Sequence, residues 1–154
     1  MSTARNGKQT ANRSKSAAGA SSPSDPDAAG HTGLDETSQR LRTQGEKALI
    51  IYLMAGDPSL TETEQLVVEL EKAGADIIEL GVPFSDPIAD GPVIQQAAER
   101  ALRSGTTLRG ILSMVGRLRA QSEIPLVFMA YYNSIHAFGP ERFCREAVAA
   151  GVDG

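Results

Sequence analysis

Two carboxylates in the middle of the chain carry the clearest chemistry. Glu79 sits inside the short apolar run Ile77-Ile78-Glu79-Leu80, and Asp90 follows eleven residues later, at the end of a loop that starts at Gly81. Side chains alternate along a strand, so Ile77 and Glu79 share one face while Ile78 and Leu80 share the other. A carboxylate among apolar neighbours is costly to desolvate unless it is paired or protonated. Withdrawal from water favours the protonated form, which is what a general acid working near neutral pH requires. Glu79 therefore reads as a general acid or base. Its alternative is a buried structural carboxylate satisfied by a partner. For Asp90 the alternative is a loop hydrogen bond or the N-cap of the helix that follows.

These groups need elements to place them. Leu34 to Thr43 offers a helix ended by Gly45. Ala48 to Met54 is a continuous apolar run closed by Gly56-Asp57-Pro58, which reads as a strand buried on both faces. Ser59 with Glu62 forms a capping box, and Leu66, Val67, Leu70 and Ala73 then fall on one helical stripe before Gly74. Ile77 to Leu80 is the second strand, and Gly81 to Gly91 is a loop. Pro92 opens a helix running to about Ser104, with Ile94, Ala97, Ala98, Ala101 and Leu102 inward. Thr107 caps another, with the stripe Leu108, Ile111, Leu112, Val115 and Leu118. Leu126 to Tyr131 is a third strand, and Pro140 starts a helix through Ala149 that Gly151 closes.

Ala73-Gly74-Ala75-Asp76 and Ala150-Gly151-Val152-Asp153 repeat each other, each leading from a helix toward a strand. Short strands alternating with helices predict an α/β fold with a parallel sheet. A doubly wound sheet and a (β/α)8 barrel both remain open on this pattern. A barrel takes eight strands and about 250 residues. Three strands and the start of a fourth are visible here, which predicts that the chain is part of a longer protein.

The motifs narrow the choice. Glu79-Leu80-Gly81-Val82-Pro83-Phe84-Ser85-Asp86-Pro87-Ile88-Ala89-Asp90-Gly91-Pro92 resembles a signature of the tryptophan synthase alpha subunit. So do Ala55-Gly56-Asp57-Pro58 and Met129-Ala130-Tyr131-Tyr132-Asn133, in that family's order and with suitable separations. The resemblance covers about residues 46–154 and corresponds to the N-terminal portion of the family. It implies a (β/α)8 TIM barrel of which the first three βα units and the start of a fourth are present. It also implies a carbon–carbon lyase of tryptophan biosynthesis, performing retro-aldol cleavage of indole-3-glycerol phosphate to indole and glyceraldehyde 3-phosphate.

On that resemblance Glu79 is the catalytic acid/base that protonates the indole carbon bearing the glycerol chain. Asp90 accepts the indole N–H and steadies the positive charge on the ring. Tyr52, Met129 and Tyr131 are the substrate-binding positions. Tyr52 replaces a Phe common in the family, and Ile51 replaces a common Pro. Pro83, Asp86 and Pro87 are the expected contacts with the pyridoxal-phosphate-dependent beta subunit, in an alpha2beta2 complex. No cofactor and no metal are expected on the alpha side. The family's phosphate site lies in later loops, so no phosphate ligand is assigned here, and these residues alone are expected to turn over little substrate. The rivals are another phosphate-substrate TIM-barrel enzyme, which would call for Lys or metal-binding His at strand ends, and a non-catalytic half-barrel that binds a partner.

Bulk properties fit this reading. The 154 residues suit one domain, 41% are hydrophobic, and the net charge of −4 advertises neither nucleic acid nor an anionic membrane as a partner. No apolar run is long enough to span a membrane. The single cysteine, Cys144, rules out an internal disulfide and suits a reducing cytoplasm. It falls beside the apolar face of the last helix, as a packed thiol would. His136 is placed in the loop after the third strand without a second metal ligand at suitable spacing. Residues 1–33 contain no Leu, Ile, Val, Phe, Tyr or Trp and read as a disordered tail, with residues 34–154 forming the barrel portion. The tail's acid-poor, Ser- and Arg-bearing start has the composition of an organellar transit peptide but no amphipathic stripe.

Overall fold

The computed structural model of the protein describes residues 33–154. The tail expected at 1–33 therefore lies outside the described residues except for Gly33, which opens the first helix. That helix, α1 (Gly33–Gln44), buries Leu41 and stops at Gly45, whose φ of 70° lets the chain turn left-handed. It is followed by β1 (Ile50–Met54), α2 (Leu60–Lys72), β2 (Ile77–Gly81), α3 (Pro92–Arg103), α4 (Leu108–Leu118), β3 (Leu126–Met129), α5 (Tyr132–Phe138) and α6 (Pro140–Ala150).

Local sequence explains most of the boundaries. The Ser59 hydroxyl accepts the Glu62 N–H at 3.3 Å and donates to the Glu62 carboxylate at 2.6 Å, starting α2 where the capping box predicts. Thr107 accepts the Gly110 N–H at 3.1 Å and starts α4. Pro92 takes the first position of α3. The helix α5 has no such signal. It is seven residues long, has no side-chain cap and buries no residue, so its stretch reads as loop in the sequence.

The three strands are parallel neighbours in chain order, β1-β2-β3. The register sets Ile51, Ile78 and Leu126 in one row and Leu53, Leu80 and Phe128 in the next. These rows pack against Val67 of α2 and Ile111, Met114, Val115 and Leu118 of α4 to form the main core. Burying aliphatic side chains of this size contributes about 1.5–3 kcal/mol each. The opposite face carries Tyr52, Glu79 and Val127 in one row, then Met54, Gly81 and Met129 in the next. A smaller cluster of Ala97, Ala98 and Ala101 from α3 packs against Met54 and Tyr52.

Several expectations need correction. β1 is not buried on both faces: Leu49 and Ile50 are about half exposed, because β1 is an edge strand among the described residues. Leu102 is exposed, since the inward stripe of α3 consists of alanines that let the helix approach closely. Met114, not counted in the stripe, is fully buried. Cys144 is exposed, because the side of α6 that turns inward carries Ala147. His136 is helical, in α5, and its ring lies 5.9 Å from that of Tyr132.

The repeated Ala-Gly-x-Asp junctions build the same joint twice. Asp76 accepts the Leu49 N–H at 2.9 Å and pairs with Arg40 at 2.8 Å. Asp153 accepts the Leu126 N–H at 2.9 Å and pairs with Arg119 at 2.8 Å. Each carboxylate ties the start of one strand segment to the start of the strand before it. At the second joint the chain already runs beside β3, with the Phe128 N–H donating to the Gly154 carbonyl at 2.8 Å. This is the fourth strand's start that the sequence predicts.

Candidate active site

The C-terminal ends of the strands, the loop after β2 and helix α3 enclose a cleft of about 150 Å³. Its walls include Tyr52, Met54, Phe84, Asp90, Met129 and Tyr131, mostly apolar with one carboxylate. Tyr52, Asp90, Met129 and Tyr131 are thus brought together as the sequence predicts. Glu79 lies on the same face but does not line this cleft. It is one row deeper, flanked in register by Tyr52 and Val127.

Tyr52 lies beside Glu79 in the sheet and shares the cleft wall with Asp90. Burial pushes its phenol up to about 12, and the negative charges of Asp90 and Glu79 add to the effect, with Tyr131 contributing last. The hydroxyl is thus a neutral phenol with a proton it can donate in a hydrogen bond. Gly81 makes room for it. A Cβ on Gly81 would collide with the Tyr52 hydroxyl and ring carbons, so the phenol occupies space that any other residue would fill.

Asp90 is not the N-cap of α3. That position belongs to Gly91, which offers no side-chain bond. Neither the Asp90 nor the Glu79 carboxylate has a hydrogen-bond partner among the described residues, which leaves both available to a ligand. The main chain around Asp90 is well fixed. Its N–H donates to the Pro87 carbonyl at 3.1 Å, closing a turn over residues 87–90.

Phe84 stacks on Tyr131 with ring centroids 5.0 Å apart and an interplanar angle of 25°. At the base of the same loop Pro83 is buried, while Asp86 is exposed and Pro87 intermediate. The Ser85 hydroxyl donates to Asp86 at 2.6 Å.

The residues missed at the sequence level are Met54 and Phe84 in the wall and Gln95 beneath the loop. Met54 was accessible from strand alternation, since it lies two residues beyond Tyr52 on the same face. Gln95 had no local signal, because its bonds depend on where the loop folds back. Behind the loop after β1, Arg100 of α3 grips Asp57 with two bonds of 2.8 and 2.7 Å, holding the Asp57 carboxyl below its ordinary range. Among the described residues there is no cluster of His, Cys, Asp and Glu able to hold a metal ion, and no helix is long and apolar enough to cross a membrane.

Comparison with known proteins agrees with this arrangement. A family model described as tryptophan synthase alpha chain matches residues 38–154. The tryptophan synthase alpha chain of Geotalea uraniireducens (strain Rf4) is 59% identical over 118 residues, which is 77% of this chain and 44% of that one. That of Clostridium kluyveri (strain ATCC 8527) is 50% identical over 121 residues, 79% of this chain and 46% of its own length. The crystal structure of tryptophan synthase subunit alpha from Legionella pneumophila str. Paris superposes with a TM-score of 0.80 at 43% identity, over 81% of this chain and 48% of that one. The chain thus spans a little under half the length of these relatives. The sheet order alone suits a doubly wound sheet as well as a barrel. The match to these structures settles it as part of a (β/α)8 barrel. Fold, motif order and identity over most of the described residues converge, and the chain belongs to the tryptophan synthase alpha chain family.

Proposed function

We propose that the full-length enzyme containing this chain cleaves indole-3-glycerol phosphate to indole and glyceraldehyde 3-phosphate, with Glu79 as acid/base and Asp90 as the electrostatic partner of the indole ring. Glu79 delivers a proton to the ring carbon that bears the glycerol chain. The ring becomes cationic, and Asp90 accepts its N–H and offsets the charge. The carbon–carbon bond then breaks, its electrons returning to the ring as the adjacent hydroxyl of the glycerol chain becomes an aldehyde. The proton lost from that hydroxyl returns to the Glu79 carboxylate.

The observation that carries this reading is that Tyr52 neighbours Glu79 in the sheet and shares the wall of an apolar cleft with Asp90, which sets the two carboxylates on one side of the sheet. An apolar slot with a carboxylate at its edge suits a flat heterocycle with one N–H donor. The cleft is smaller than an ordinary small-molecule site of about 300–1,000 Å³. Its size fits a wall supplied by these residues, the phosphate being held by later parts of the enzyme. Tyr52, Met129 and Tyr131 line the ring's binding place. The exposed Asp86 and half-exposed Pro87 face the beta subunit, and buried Pro83 shapes the loop that presents them.

The test is Glu79→Gln in the full-length enzyme. Indole release falls by about 10²-fold or more, with the thermal midpoint unchanged. Retained turnover in the correctly folded variant removes the acid/base role. Asp90→Asn lowers indole release by a comparable order, about 10².

A further inference from the structure

The turn that ends in Asp90 is held from two sides by side chains of other elements. From α3, the Gln95 side-chain amide donates to the Asp90 carbonyl at 2.9 Å and to the Pro87 carbonyl at 3.3 Å. From the end of β3, the Tyr131 hydroxyl accepts the Ala89 N–H at 3.0 Å. Ala89 and Asp90 are consecutive, so the main chain is fastened immediately before and immediately after the peptide that carries Asp90 inward. The fastening is needed locally. Gly91 gives α3 no side-chain cap and Pro92 has no N–H to offer the loop, so the helix start cannot fix the turn by itself.

We infer that Gln95 and Tyr131 are positioning residues for Asp90, setting its carboxylate before substrate arrives. Gln95 acts wholly through the turn, since it does not line the cleft. Tyr131 does two things: its ring forms wall and stacks on Phe84, and its hydroxyl latches Ala89. A carboxylate that stabilises developing charge acts by being preorganised, and a displacement of about 1 Å can cost on the order of 10²-fold in rate. A looser turn therefore reduces kcat more than substrate affinity.

This inference rests on the proposed role of Asp90, and a double-variant cycle in the full-length enzyme separates the two. Gln95→Met keeps the bulk but removes both donors. Tyr131→Phe keeps the ring stack but removes the acceptor. Gln95→Met is expected to lower kcat for indole release roughly tenfold with KM changed less than about twofold, and with an unchanged thermal midpoint. Tyr131→Phe is expected to lower kcat by a similar factor. Placed on Asp90→Asn, neither change lowers kcat further, because the group they position is already gone. If Asp90→Asn alone leaves turnover intact, the reading of Asp90 fails and this inference with it. If Asp90→Asn lowers turnover but Gln95→Met does not, or if the losses add in the double variants, the inference alone is overturned.

Discussion

At the scale of single residues, the site depends on a small residue admitting a large one. Gly81 has no side chain, and the Tyr52 phenol fills that space. Gly81→Ala inserts a methyl group into packed atoms, which costs about 1–3 kcal/mol. Urea denaturation should show this loss, and it should largely vanish when Tyr52 is first shortened to Leu. An equal loss in both backgrounds would mean that strand geometry, and not the phenol, demands the glycine. The shared cleft wall of Tyr52, Asp90, Met129 and Tyr131, and the place of Glu79 on the same sheet face, were legible because type, alternation and motif coincide there. Gln95 stayed hidden because a side-chain amide bonded to a loop carbonyl leaves no periodic trace.

At the scale of elements, the helices with a cap or a stripe were the readable ones. Ser59, Thr107 and Pro92 each mark a start by a physical device, and the structure uses all three. α5 was not readable, since Tyr132–Phe138 is short, uncapped and without a buried face. Cys144 and Leu102 were misplaced because a helical stripe near its margin gives the wrong side to a residue one step round.

The joint at Asp76 has a pH signature. The Leu49 N–H and then Arg40 hold its carboxyl below the usual 3.8. The unfolded chain takes up its proton first as pH falls, so the joint's contribution is full above about pH 4 and fades as pH drops through the folded value. Asp76→Asn should therefore be less stable than the parent at pH 7, with the gap in urea midpoint narrowing as the pH falls below 3.8. A gap that stays constant across that range would remove the carboxylate's charge from the account.

At the scale of the whole molecule, the described residues form one wall of a barrel, with a helix-packed face and a face that carries the site. The edge strand β1 keeps Ile50 54% exposed, and Met129 on the site face is 53% exposed, enough to make contact with other chains favourable. The 154-residue chain is expected to self-associate as its concentration rises, and Ile50→Lys should reduce this in size-exclusion chromatography. Monomeric behaviour of the parent chain at high concentration would show that the edge is already protected. From element order alone the fold class was legible only as alternating strands and helices, because three strands in chain order look alike in an open sheet and in a closed one; the motifs from Glu79 to Pro92 supplied the barrel, and the structural matches bear it out.

The two Asp–Arg joints have a further consequence. Both sit where the strands begin, beside Leu49 and Leu126, while the proposed catalytic pair Glu79 and Asp90 lies toward the other end of the sheet. Robustness and reactivity are therefore lodged at opposite poles of the same short sheet. Engineering that reinforces the lower pole, by tightening the Arg40 or Arg119 grip, can raise the melting point while the residues proposed to react at the upper pole keep their spacing.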